Sequence, residues 1–241
     1  MFRAEAKGKP LLFDTDGLIG GNEVFKDRET GSHWQQSTLE AISGPLKGTH
    51  LQLYPFLETT WNEWRVRHPD TLVLKPLPGY AERMPIMNQV INQGVLGMAG
   101  PAPKGAFSHD ARLRPRDTIV GLETGGAVKA YPIAALDKVR VVNDRVGRNP
   151  VVIVHQPSSD TTTAFLAALH GKVLHFSAVD AEADRLIDAG THSTWTAYGR
   201  CISGPLKGAR LKRLILEPEF WFAWSEFHPR TELYVPNKDK F

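Results

Sequence analysis

Asp27-Arg28-x-Thr30-x-Ser32-x-Trp34 gathers a carboxylate, a guanidinium and two hydroxyls ahead of an indole. Asp188-x-x-Thr191-x-Ser193-x-Trp195 gathers the same carboxylate, hydroxyls and indole a second time. Alternate side chains of a strand share a face, so Thr30, Ser32 and Trp34, and likewise Thr191, Ser193 and Trp195, are expected on one side, with each aspartate where its strand begins. The functional reading is a polar ledge of Asp27, Arg28, Thr30, Ser32, Asp188, Thr191 and Ser193 beside an aromatic platform, able to hold a small polar ligand. The structural reading, which we prefer, is an aspartate that caps a turn, two hydroxyls that pair across strands, and a tryptophan packed in the core. Arg28 and Glu29 become Ala189 and Gly190, so any chemistry of that charged pair is confined to the first block.

Other reactive residue types are sparse. Trp61, Trp64 and His68 are spaced i, i+3, i+7, as are Trp221, Trp224 and His228. That spacing places them on one helical face, where an aromatic stripe reads as core, and the histidines, each followed by proline, read as helix-end caps. His155 and His175 form a weak metal pair if adjacent strands aim both rings the same way. With no third ligand in view, no metal site and no cofactor are expected. The single Cys201 rules out an intramolecular disulfide and reads as a small apolar filler. G-x-S-x-G, H-E-x-x-H and G-x-G-x-x-G are absent from the sequence, and Gly-Pro-Leu-Lys-Gly lacks the spacing of a phosphate loop.

The elements that must carry these residues occur twice. Ile42-Ser-Gly-Pro-Leu-Lys-Gly48 returns as Ile202-Ser-Gly-Pro-Leu-Lys-Gly208, between the aspartate blocks and the tryptophan–histidine blocks and in the same order. Ordered blocks at a near-constant offset imply a duplication. Phe2, Ala4, Gly8, Lys9, Leu11 and Phe13 align on Phe165, Ala167, Gly171, Lys172, Leu174 and Phe176, which sets Met1 opposite Ala164. The expected organisation is a first repeat over 1–75, a Pro/Gly-rich linker over 76–116 with a helical turn near Gln89-Val-Ile-Asn-Gln, and a second, complete repeat over 117–236. Either Met1 is internal to a longer reading frame, which we prefer, or the first repeat lacks several strands. The second repeat reads as a hairpin around Gly125-Gly126, a short helix after Pro132, strands through Val151–Val154 and Thr161–Ala168, further strands to Leu216, and a helix over Glu219–Phe227. The fold class is α+β, dominated by β, with two related lobes that are each a curled sheet or barrel-like sandwich with a short helix.

Composition sets the outer bounds. The chain has 241 residues, 41% hydrophobic and 23% charged, with a formal net charge of +3. That is ordinary for a globular protein. Scattered basic residues argue against nucleic acid, and no apolar run is long enough for a membrane span. No signal-peptide pattern opens the sequence, and the compartment is left unassigned. A homo-oligomer built through the incomplete first lobe is an expected assembly.

Taken together, Asp27 to Trp34, Gly44 to Gly48 and Trp61 to Pro69 resemble the bacterial domain-of-unknown-function family 3179. Its Tyr-Pro and Asn-Asp segments match Tyr131-Pro132 and Asn143-Asp144. Where the resemblance implies Cys-Pro-x-Cys, this chain has Gln156-Pro157-Ser158-Ser159, which can neither bind a soft metal through thiolates nor cycle as a disulfide. The resemblance implies no known activity. Two functions stay open: a non-catalytic binding or interaction module, which we prefer, and an enzyme or metal/redox protein whose Cys-Pro-x-Cys half lies upstream of Met1.

Overall fold

The structure, a computed structural model, describes residues 1–75, 79 and 110–236. Most of the linker expected over 76–116, and the helical turn at Gln89–Gln93, lie outside the described residues. The N-terminal part runs β1 (Glu5–Ala6), β2 (Lys9–Pro10), β3 (Phe13–Ile19), β4 (Asn22–Asp27), β5 (His33–Gln35), β6 (Ala41–Ser43) and helix α1 (Trp61–Arg67). The C-terminal part opens with β7 (Thr118–Thr124), β8 (Ala127–Pro132), α2 (Ile133–Val139), β9 (Val141–Val146), β10 (Asn149–Gln156) and β11 (Thr161–Leu166). It continues through β12 (Ala168–Leu169), β13 (Lys172–Val173), β14 (Phe176–Ala178), β15 (Arg185–Asp188), β16 (Thr194–Thr196) and β17 (Cys201–Ser203). It ends with β18 (Arg213–Leu214), β19 (Glu217–Phe220), α3 (Trp221–Phe227) and β20 (Glu232–Leu233). Strands dominate, the helices are short, and among the described residues the sheets stay open rather than closing into a barrel. No helix of the described residues is long and apolar enough to cross a membrane.

The C-terminal part is layered about one central sheet, ordered β18-β11-β10-β9. Strand β10 contains the run Val151-Val-Ile-Val154, apolar at every position because both faces are covered. Val152, Val154 and Phe165 pack with Phe176, Leu186 and Trp195 of the β14-β15-β16-β17 meander. Val151, Ile153 and Ala164 pack on the other side with Val120, Leu122, Tyr131 and Leu136. Gly125 and Gly126, both at positive φ, turn β7 into β8, a conformation that glycine adopts without a Cβ penalty. Asn143 joins two layers: its side chain donates to Phe176 O and accepts from Phe176 N, both at 2.7 Å. Tyr131 donates to Asp144 at 3.0 Å.

In the N-terminal part the meander β3-β4-β5-β6 repeats the order and antiparallel pairing of β14-β15-β16-β17, down to a register shift at the third strand. The small hairpin β1-β2 matches β12-β13. Its core is Trp34, Leu11, Leu39, Ala41, Leu46 and Leu51, with Phe2, Phe13 and Phe25 packed at the edge. No described strand of the N-terminal part lies where the central sheet covers the C-terminal meander.

Three local readings differ from the structure. Asp27 and Asp188 end the strands β4 and β15 rather than beginning the next ones. The chain reverses immediately after each aspartate, so Thr30, Ser32, Thr191 and Ser193 sit in turns, with Gly31 and His192 at positive φ. Strand Arg185–Asp188 was not expected, because its polar ends hide the single alternation of Leu186. Glu219 and Phe220 belong to a strand rather than a helix, since β19 pairs with β7 up to Phe220 and the helix begins only at Trp221.

The two Trp-x-x-Trp helices share local geometry and differ in burial. In each, the second indole donates to a threonine, Trp64 to Thr71 and Trp224 to Thr231, at 2.9 Å. In each, the histidine N–H bonds the tryptophan carbonyl and the imidazole packs on the indole, with ring centroids 4.1 and 3.7 Å apart. Yet α3 buries Trp221 completely, whereas Trp61 of α1 is 54% exposed. Helix α3 lies on Ile119 and Ala130 of the β7–β8 hairpin, and a Cβ at Gly121 would fall inside the Trp224 ring. We therefore expect Trp221→Ala to cost about 3–5 kcal/mol and Trp61→Ala at most about 0.5 kcal/mol, read from urea unfolding curves.

Candidate functional site

Sequence identity at the aspartate blocks translates into near-identical atomic networks. Asp27 Oδ1 accepts from Thr30 N at 2.5 Å and Thr30 Oγ1 at 2.8 Å, while Oδ2 accepts from Trp34 Nε1 at 2.8 Å. Thr30 Oγ1 lies 2.7 Å from Ser32 Oγ, which accepts the Leu46 N–H at 3.0 Å. Asp188 accepts from Thr191 N at 2.7 Å and Trp195 Nε1 at 3.0 Å, and Ser193 Oγ accepts from Leu206 N at 3.1 Å. A Cβ at Gly44 or Gly204 would come within 2.7 Å of the serine Cα beneath it, which accounts for the glycine of each Gly-Pro-Leu-Lys-Gly turn.

These bonds consume the hydrogen-bonding capacity of the carboxylates. Burial raises the pKa of Asp27 and Asp188, but bonds from the indole, the threonine and the serine amide outweigh it and hold both below the usual carboxylate range. Among the ledge residues, Arg28 turns outward to Asp14, with Nη2 to Oδ1 at 2.6 Å, and Thr30 borders a cavity of about 500 Å³ with Glu29, Lys7 and Lys9. Each depressed pKa stabilises the fold above the unfolded value near about 4, and that contribution is lost as pH falls through the folded value. Asp188→Asn should therefore destabilise by about 1.5–3 kcal/mol at neutral pH and make acid unfolding less steep, measured by circular dichroism against pH.

The imidazole of His155 is enclosed, with Nδ1 2.8 Å from Thr162 Oγ1 and Nε2 3.3 Å from Asp137 Oδ1. His175 is exposed. Among the described residues no three metal-binding side chains converge. Gln156 donates through Nε2 to Asp184, and Ser159 Oγ donates to Thr161 Oγ1 at 2.8 Å.

A large concavity lies between the two parts and was not foreseen from the motifs. It is a cleft of about 990 Å³ walled by Phe2, Phe25, Leu39 and Leu53 on one side and by Pro218, Phe220, Phe222 and Ala223 on the other. The N-terminal meander here presents to the cleft the face that its C-terminal counterpart buries against the central sheet. Phe220 and Phe222 stack with centroids 6.0 Å apart. Glu217 and Glu219, alternate residues of β19, add two carboxyls to a polar lining that also holds Asn22, Glu23, Gln36 and Arg116, and Ser37 Oγ reaches across from the N-terminal part to donate to Glu219 Oε1 at 3.0 Å.

Burial, reinforced by Glu123, pushes the Glu217 carboxyl up to about 7. Burial also lifts Glu219 to about 7, with Glu217 adding repulsion and the Ser37 bond opposing it. No spacing in the sequence marks this pair. The only signal was the loss of alternation around Pro218, where a charged residue stands on each side of a proline just before an aromatic helix. A raised folded pKa stabilises fully below the unfolded pKa, and that stability is lost as pH rises through about 7. We expect wild-type stability to fall by about 2 kcal/mol between about pH 5 and about pH 9, discounted for partial exposure. The Glu217→Gln/Glu219→Gln variant should show a flatter profile in thermal melts.

The second half of the cleft's frame is a strap. Residues 56–67 leave the N-terminal meander and dock on the C-terminal part. Arg213 donates to Phe56 O at 3.0 Å, Thr161 Oγ1 to Thr59 Oγ1 at 2.8 Å, and Tyr198 OH to Glu63 at 3.3 Å. Arg67 stacks 3.8 Å over the Tyr198 ring.

The profile of a family described as "Protein of unknown function (DUF3179)" matches residues 1–231. No curated protein and no solved structure matches the chain.

Proposed function

The chain belongs to the family of proteins of unknown function DUF3179, and we propose that it acts as a binding module whose ligand occupies the cleft between its two parts. The observation that carries this reading is the cleft of about 990 Å³ with aromatic walls and the two carboxyls of Glu217 and Glu219 in its lining. An apolar concavity with a few convergent polar groups is the usual form of a small-molecule site. The ligand this lining favours has an apolar body and a hydrogen-bond donor.

The organisation that supports the reading is a tandem one. The chain comprises a first copy over 1–75, a linker over 76–116 and a second copy over 117–236. Among the described residues the first meander has no counterpart of the sheet that covers the second, and its open apolar face becomes a cleft wall. The exposed Trp61 and Val66 of α1 offer a surface for pairing with a second copy of the chain.

A neutral solvatochromic dye tests the binding reading. We expect saturable, one-to-one dye binding, weakened at least about tenfold, or about 1.4 kcal/mol, by Leu18→Trp. Leu18 lines the cleft while remaining 69% exposed, so the bulkier ring fills space without disturbing the core. Dye binding that is unchanged in Leu18→Trp and in Phe25→Ala would reject the cleft as the site.

A further inference from the structure

A second arrangement lies outside the repeated motifs. His155 and Thr162 stand directly opposite each other across the antiparallel β10–β11 pair, and Asp137 reaches them from α2. Thr162 Oγ1 is 2.8 Å from His155 Nδ1, and Asp137 Oδ1 is 3.3 Å from Nε2. The imidazole is 1% exposed, and burial holds its pKa below the ordinary value, so the ring is neutral near pH 7 and carries one N–H. A carboxylate only accepts. The proton therefore sits on Nε2 and points at Asp137, which leaves Nδ1 to accept the Thr162 O–H. Hydroxyl, base and orienting carboxylate in that order form the relay of nucleophilic acyl transfer.

Thr162 also borders a small cavity of about 60 Å³, together with Glu58, Asp160, Val120, Ile133 and Leu216. Of its remaining walls, Phe56 and Pro218 line the main cleft as well, and Thr118 completes the lining. The volume is that of about two water molecules, which matches an acetyl group and little more. Burial, then the charge of Asp160, pushes the Glu58 carboxyl up.

We propose that Asp137, His155 and Thr162 form an acyl-transfer centre that takes a short acyl group, acetyl in size, from an ester. Thr162 Oγ attacks the carbonyl carbon while its proton passes to His155 Nδ1. The bond to the leaving alcohol breaks as that oxygen takes the proton from Nδ1. A water molecule, deprotonated by the same nitrogen, then attacks the acyl carbon; the bond to Thr162 Oγ breaks as that oxygen takes the proton back from Nδ1, and the carboxylic acid leaves. Thr162 and His155 are the catalytic residues, and Asp137 is a positioning residue. The centre adjoins the main cleft without depending on a ligand there.

The 241-residue chain is incubated with p-nitrophenyl acetate, p-nitrophenolate release is followed, and the acetylated residue is mapped by mass spectrometry. We expect acetyl on Thr162, its loss in Thr162→Val, and its retention in Thr162→Ser, which keeps a hydroxyl even if the valine variant folds poorly. Asp137 is 50% exposed, so Asp137→Asn should fold normally. It should slow acylation on the order of a hundredfold and move the midpoint of the pH–rate profile downward, because the protonated ring loses its carboxylate. Acetyl confined to lysines, or a release rate equal in wild type, Thr162→Ser and Asp137→Asn, would overturn the proposal.

Discussion

The bond from a buried indole to a buried carboxylate organises each meander. Trp34 and Trp195 are wholly buried and each needs an acceptor for its N–H; Asp27 and Asp188 are equally buried and need donors. A carboxylate or an N–H taken from water without a partner would cost several kcal/mol. The pair solves both problems only if the strand before the turn and the strand after it are held in one register. The threonine and serine hydroxyls complete the carboxylate's shell, and the serine then fixes the Gly-Pro-Leu-Lys-Gly turn through the leucine amide. One polar contact thus sets the positions of two strands and two turns, and the indole's apolar body fills the core around it.

The same unit has different consequences in different surroundings. In the C-terminal part, the meander lies on a central sheet that is covered on both faces, and Phe176 is tied to that sheet by Asn143. In the N-terminal part, the equivalent apolar face looks onto a cleft, where Phe25 and Phe2 meet Phe220 and Phe222 across open space. Water cannot solvate Glu217 and Glu219 fully there, and the charge of Glu123 on Glu217, and of Glu217 on Glu219, adds to the cost of ionisation. Both carboxyls therefore titrate near neutrality. The cleft, its aromatic lining and its unusual acid–base character have a single origin, the packing of an unlayered meander against a layered one.

The helices show how far a motif constrains its own environment. Trp-x-x-Trp-x-x-x-His-Pro-x-Thr encodes the indole–threonine bond, the histidine at the helix end and the stacked rings, and all of these form at both occurrences of the motif. It does not encode burial. Helix α3 has the β7–β8 hairpin beneath it, with a glycine where the Trp224 ring presses. Helix α1 instead serves as a strap, held by Glu63 and Arg67 on Tyr198.

What the sequence determined by itself is local and covalently close. Asp27 and Trp34 stand seven positions apart and meet through one turn, so their spacing alone prescribes the network, and the motif occurs twice in the sequence. The Val151–Val154 run, the Gly125-Gly126 turn and the helix after Pro132 were legible for the same reason: alternation, φ preference and proline act over a few residues. Reading Thr30 and Ser32 as a strand face failed because a turn is decided by the carboxylate it caps, not by alternation. The Glu217–Glu219 pair, the His155–Asp137 contact and the cleft were decided only in the tertiary structure. Their members come from elements far apart in the chain, and their properties arise from desolvation, which depends on what every other element covers.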